Sequence, residues 1–276
     1  MDIIELAVGP YRYAARADGP ADGDLVLLLH GFPETSYEWR AQLAALGAAG
    51  YRAVAPDQSG YTPGARPAAL EEYAVGRLVD DVFGFADVLG ADRFHLVGHN
   101  WGGFVAWYTG ARDHGRLRTL TVVSTPHPVP FRAAMHSGGD QRKRSSYMDW
   151  FRGPDAEQTW LADDAALLDA AYGEHPADAR AEYRRVFTDD GGAALTGGLN
   201  WYRANRFDAA DRAITVPTLY VWSTGDVALG REAAEGTAAE VAGPYRFEVL
   251  DGVSHWIPEV ASEALNALLL EHLRTG

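Results

Sequence analysis

The chain predicts an α/β fold: one mostly parallel, eight-stranded sheet flanked by helices, with a helical segment inserted late in the sheet. Three observations predict it. Short apolar runs of buried-strand type alternate with helical patterns. That alternation fails over 126–217, where helical patterns follow one another without a convincing strand. Residues able to do chemistry fall just past the C-terminal ends of strands, where open parallel sheets place their sites.

Period-two alternation over 3–8 and 11–16, joined by Gly9-Pro10, predicts two antiparallel starting strands. Buried strands are expected at 25–29, 52–55, 94–97, 120–123, 218–222 and 245–250. Helices are expected at 37–49 and at 70–89, where Leu78, Val82, Phe85 and Leu89 fall at helical spacing. The insertion is expected to hold helices near 141–151, 155–171, 177–187 and 193–204. Pro126, Pro128 and Pro130 mark its entry and Pro217 its exit. The division is a core of 1–127 and 214–276 and a helical cap of 128–213.

Composition narrows the function. With 276 residues, 47% of them hydrophobic, a large core can form. The net charge of −14 comes without basic clusters, which argues against nucleic acid and against an anionic membrane surface. The run Arg142-Lys143-Arg144 reads as a solvated helix face. The absence of cysteine excludes disulfides, thiolate metal sites and cysteine nucleophiles. No signal-type or membrane-spanning stretch is seen, so a cytoplasmic protein is expected, monomer or homodimer. Abundant arginine and alanine with almost no lysine reads as the codon bias of a GC-rich bacterial genome.

Four pieces sit at strand ends. They are His30-Gly31-Phe32-Pro33-Glu34, the G-x-N-x-G around Asn100, Asp226 in Ser223-Thr224-Gly225-Asp226, and His255 in Gly252-Val253-Ser254-His255-Trp256. A strand, a sharp turn and a helix around G-x-N-x-G form the context of a nucleophile elbow, whose central residue holds a strained backbone. The order nucleophile position, acid, histidine is that of α/β hydrolases. The elbow residue is normally Ser, Cys or Asp, and an amide is a poor nucleophile.

The chain resembles the α/β-hydrolase epoxide hydrolases over nearly its whole length, most densely from His30 to Pro128. His30-Gly31-Phe32-Pro33-Glu34 resembles that family's oxyanion motif. Gly98-His99-Asn100-Trp101-Gly102-Gly103 resembles its G-H-D-W-G-G elbow with one change. Asp57-Gln58-Ser59-Gly60-Tyr61 resembles its D-x-R-G-Y with one change. Leu199-Asn200-Trp201-Tyr202-Arg203 is similar to a segment bearing one of two lid tyrosines, and Tyr147 resembles the other more loosely. Ser59, where the family has a bracing arginine, is expected to cost loop stability and not activity.

The resemblance implies a mechanism for an Asp elbow. The carboxylate opens an epoxide to an ester, Tyr147 and Tyr202 protonate the ring oxygen, and His255, oriented by Asp226, activates water against that ester. Backbone amides of Phe32 and Trp101 form the oxyanion hole. No metal or cofactor is implied. Asn100 interrupts the first step. It reads as an amide installed to hold substrate without turnover, as a natural departure toward binding or another reaction, or as a residue hydrolysed in place to Asp. The intact partners favour the first.

Haloalkane or haloacid dehalogenation is an alternative that lacks the paired tyrosines in its family pattern. Non-hydrolytic acid–base catalysis and ligand binding are others. Trp101 and Trp150 are expected to line the pocket, which favours a bulky aryl epoxide. Pro33, a candidate cis-proline, and His127 at the cap entry are further pocket candidates. His30 and His99 read as structural, with His99 pointing away from Asn100. His95, His114, His136, His175 and His272 lack ligand-like spacing. The pairs Asp80-Asp81, Asp163-Asp164 and Asp189-Asp190 read as solvated surface.

Overall fold

A computed structural model describes residues 1–207 and 212–276. Its strands are β1 Asp2–Val8, β2 Tyr11–Asp18, β3 Leu25–Leu29, β4 Arg52–Pro56, β5 Phe94–His99, β6 Leu117–Val123, β7 Thr218–Ser223 and β8 Tyr245–Leu250. They form one sheet in the order β1-β2-β4-β3-β5-β6-β7-β8. The pairs β1–β2 and β2–β4 are antiparallel and the other five are parallel.

Alternation along the strands builds two cores. In β3 every residue is buried. Val26 and Leu28 face one side with Val97, Val123 and Val221, under α1 (Arg40–Ala48) and the C-terminal helix 262–272. Leu25, Leu27 and Leu29 face the other with Leu96 and Val122, under α2 (Val75–Val88) and α3 (Trp101–Ala111). The expected helix at 37–49 begins as a 3-10 turn at Ser36–Trp39, and that at 70–89 as another at Leu70–Tyr73.

Between β6 and β7 lie α4 Pro128–His136, α5 Asp140–Arg144, α6 Tyr147–Phe151, α7 Ala156–Ala171, α8 Ala177–Thr188 and α9 Ala193–Ala204. No strand occurs there among the described residues. Pro128 and Pro130, expected only as boundary marks, open α4. The first helical turn needs no N–H from them. The expected helix at 141–151 is two short ones, divided at Ser145 and Ser146, residues of modest helix preference. No helix among the described residues is long and apolar enough to cross a membrane.

Asp81 departs from the surface reading. It sits in α2 against the buried Tyr13, and a pocket of about 470 Å³ lies open beside it, walled by Ser59, Pro67, Glu72 and Arg77 among others. Burial pushes its carboxyl up to about 7. The folded value lies above the unfolded one. The penalty is therefore absent below about pH 4 and grows as pH rises toward about 7, so this group lowers stability at neutral pH. Ser59→Arg places a guanidinium in that pocket. We expect it to raise Tm by about 2–6 °C at about pH 8 and by little at about pH 4. Scanning calorimetry at both values checks this, and an equal gain at both contradicts it.

Candidate active site

The register aligns the C-terminal ends of the parallel strands. Leu29 pairs with Gly98, His99 with Val123 and Ser223 with Leu250. The residues that follow those ends converge on Asn100. It joins β5 to α3 with φ 50° and ψ −116°, a sparsely populated conformation for a residue with a side chain. Glycine neighbours make that turn possible: a Cβ on Gly102 would lie 2.0 Å from Leu29 O, and one on Gly98 2.2 Å from Gly102 O. Thr125 Oγ1 donates to Asn100 O at 2.7 Å and fixes the turn from the β6 side.

The side chain of Asn100 is held at both ends. Oδ1 accepts from Trp101 N at 2.7 Å and Phe32 N at 3.1 Å. Two donors on one atom identify it as the oxygen, which leaves Nδ2 facing His255 Nε2 at 2.8 Å. His255 Nδ1 donates to Asp226 Oδ2 at 2.7 Å, so Nε2 carries the lone pair toward Asn100. Asp226 Oδ1 accepts from Ala228 N and Leu229 N, both at 2.8 Å. Both members of the pair are nearly fully buried.

Above Asn100 the cavity has two lobes, of about 430 and 560 Å³ of empty volume. Asn100, Tyr147 and Tyr202 line both. Trp101, Phe104, Phe131 and Leu229 wall the first, and Phe32, Pro33, Trp160 and His255 the second. No Asp, Glu, Lys or Arg is among the described residues of either wall. The tyrosine rings lie 6.4 Å apart, edge to face. Burial raises both phenols above their ordinary value. Both therefore remain neutral O–H donors at every physiological pH.

A strained elbow, two amides on its side-chain oxygen and an Asp–His pair behind it can be compared with known proteins. The alpha/beta hydrolase fold family model matches residues 24–262. Epoxide hydrolase A of Mycobacterium tuberculosis is 32% identical over 297 residues, with 92% of each chain covered. The chain belongs to the α/β-hydrolase-fold epoxide hydrolase family. The AB hydrolase superfamily protein YfhM of Bacillus subtilis is 35% identical over 268 residues, covering 94% of this chain and 93% of the relative. The crystal structure of epoxide hydrolase A from Mycobacterium thermoresistibile superposes with a TM-score of 0.86 at 28% identity, over 99% of this chain and 98% of that one.

Within this epoxide hydrolase fold two expected pocket residues stand elsewhere. Trp150 stacks on Trp160 (centroids 5.8 Å apart) on the flank of α6, and Phe151, four residues from Tyr147 on the same helix face, lines the second lobe in its place. His127 caps α4 through Nδ1 and packs edge-on against Trp107, in neither lobe's wall. Pro33 lines the second lobe, and the Phe32–Pro33 peptide is cis. His30 is buried, its Nε2 accepting from Gln58 N at 3.0 Å.

Sequence reasoning missed two groups. The fold gathers Glu34, Glu38 and His99, with donor atoms within 4.8 Å of one another, and His175 beside them. His99 Nδ1 lies 3.2 Å from Glu34 and 3.3 Å from Glu38, while Nε2 donates to His255 O at 3.1 Å. Burial favours the neutral form of both acids. For Glu34, hydrogen bonds from His175 and His99 outweigh that and hold its carboxyl well below the usual range. For Glu38, burial and the charge on Glu34 act together and push it well above. The two acids are thus pushed apart, Glu34 toward the carboxylate and Glu38 toward the neutral acid, behind the backbone of His255.

The second group is a clamp on the acid loop. Gln141 Nε2 donates to Ala228 O (2.8 Å), its Oε1 accepts from Gly230 N (2.7 Å), and Arg144 Nη1 donates to Asp226 O (2.7 Å). Arg144 is thus more than a solvated charge. α5 ties the loop that carries Asp226 to the segment that carries Tyr147.

Proposed function

We propose that this chain is an epoxide hydrolase in which every part except the nucleophile is in place, and that its substrates are bulky, apolar, aryl-type epoxides. The observation that carries the reading is the seat of position 100. An Asp there would have one oxygen in the Phe32–Trp101 amide pair and the other facing His255 and the cavity. That second oxygen attacks an epoxide carbon, the C–O bond of the ring breaks, and Tyr147 or Tyr202 gives its proton to the ring oxygen. His255 then takes a proton from water, which attacks the ester carbonyl as charge develops on the oxygen in the amide pair. Release of the diol regenerates the carboxylate. An amide nitrogen has its lone pair delocalised and forms no ester at a useful rate. The helical cap of 128–213 supplies both tyrosines and, with Phe131, Met148, Phe151 and Trp160, part of the apolar wall.

Freshly prepared chain, with Asn at position 100, is expected to bind an aryl epoxide saturably and to form no diol. Trp101 lines the first lobe, so titration of tryptophan fluorescence reads occupancy. Equal or tighter binding of a small charged epoxide would contradict the substrate class.

A further inference from the structure

We propose that Asn100 is itself a substrate of this site: the chain hydrolyses its own side-chain amide and converts position 100 to Asp. The side chain is held as an acyl group is held for hydrolysis. Its carbonyl oxygen sits between the amides of Trp101 and Phe32, at 2.7 and 3.1 Å. Its leaving nitrogen donates to His255 Nε2 at 2.8 Å, the nitrogen of the imidazole that carries the lone pair. Asn100 and His255 both line the second lobe, so a water there reaches both Cγ and the base.

The step balances without any co-reactant. Water adds its oxygen to Cγ while His255 Nε2 takes a proton, and the charge on Oδ1 falls on the two backbone amides. Asp226 holds the resulting imidazolium. The Cγ–Nδ2 bond then breaks as His255 returns the proton to nitrogen, and ammonia leaves. The same amides and base would cleave an alkyl ester, so the reaction needs no group beyond those already assembled. An amide carbonyl is less electrophilic than an ester's and its nitrogen leaves only once protonated, which makes the conversion slow, and it occurs once per chain. Its functional consequence rests on the epoxide hydrolase reading; the chemistry itself does not.

The competing route is attack of Trp101 N on Cγ, which produces isoaspartate. That nitrogen is the first of α3 and its N–H is already committed to Oδ1. The test is peptide mass spectrometry of the freshly made protein, incubated at about pH 8 in ¹⁸O-water over days. The expected result is labelled aspartate at position 100, appearing ahead of any change at Asn200, Asn205 or Asn266, and suppressed in His255→Gln and in Asp226→Asn. A comparison that needs no variant uses the urea-unfolded chain, in which position 100 should convert no faster than the other asparagines. Persistence of Asn100, isoaspartate at that position, or equal rates in folded and unfolded chains would overturn the inference. If an Asn100→Asp chain makes diol while the parent never converts, the self-hydrolysis fails and the proposed function stands. If the parent converts and neither form makes diol, the reverse holds.

Discussion

An Asn100→Asp chain that also carries His255→Gln is expected to consume one equivalent of epoxide and stop. Alkylation needs the carboxylate and the tyrosines, and hydrolysis of the ester needs the base. Glutamine can keep a hydrogen bond to Asp226 but cannot take a proton from water, so the ester accumulates. Turnover should fall by about 10³-fold or more relative to Asn100→Asp alone, while the first equivalent is still consumed. Intact-protein mass spectrometry reads the adduct directly. Continued turnover without an adduct would place the base elsewhere.

The second large effect is on ring opening. In the Asn100→Asp background, Tyr147→Phe and Tyr202→Phe together should slow alkylation by about 10²- to 10⁴-fold, since the ring oxygen would leave as an unprotonated alkoxide. Either single change should cost less, because both tyrosines line the same two lobes beside Asn100. Burial raises both phenols. Loss of their protons therefore moves to higher pH than for a free phenol, and the single-turnover alkylation rate should show no fall from these groups below about pH 10. Single-turnover fluorescence measures it. An unchanged rate in the double variant would assign proton donation to another group.

The sheet was legible because each strand carries its own evidence. β3 reads Leu-Val-Leu-Leu-Leu and is buried on both faces, as an interior parallel strand must be. The elbow was equally legible, since glycines flanking one residue between a strand and a helix mark a tight turn, and each of Gly98, Gly102 and Gly103 is indeed crowded by its neighbours. Local sequence fails where tertiary neighbours decide. Glu34 and His175 meet across 141 residues, and Gln141 reaches the acid loop across 87. Asp81 looks like one of two adjacent surface acids until β2 brings Tyr13 over it. Phe151, one helical turn after Tyr147, shares its face toward the cavity, while Trp150 points to the flank and stacks on Trp160 from α7.

On the proposed function, position 100 alone withholds catalysis from an otherwise assembled site. The measurement that tests it most directly is diol formation from a bulky aryl epoxide, comparing freshly prepared chain with its Asn100→Asp variant. The first is expected to show no initial activity and the second steady turnover, a gain of at least about 10³-fold. Absence of diol from a folded Asn100→Asp protein that binds the epoxide would contradict it.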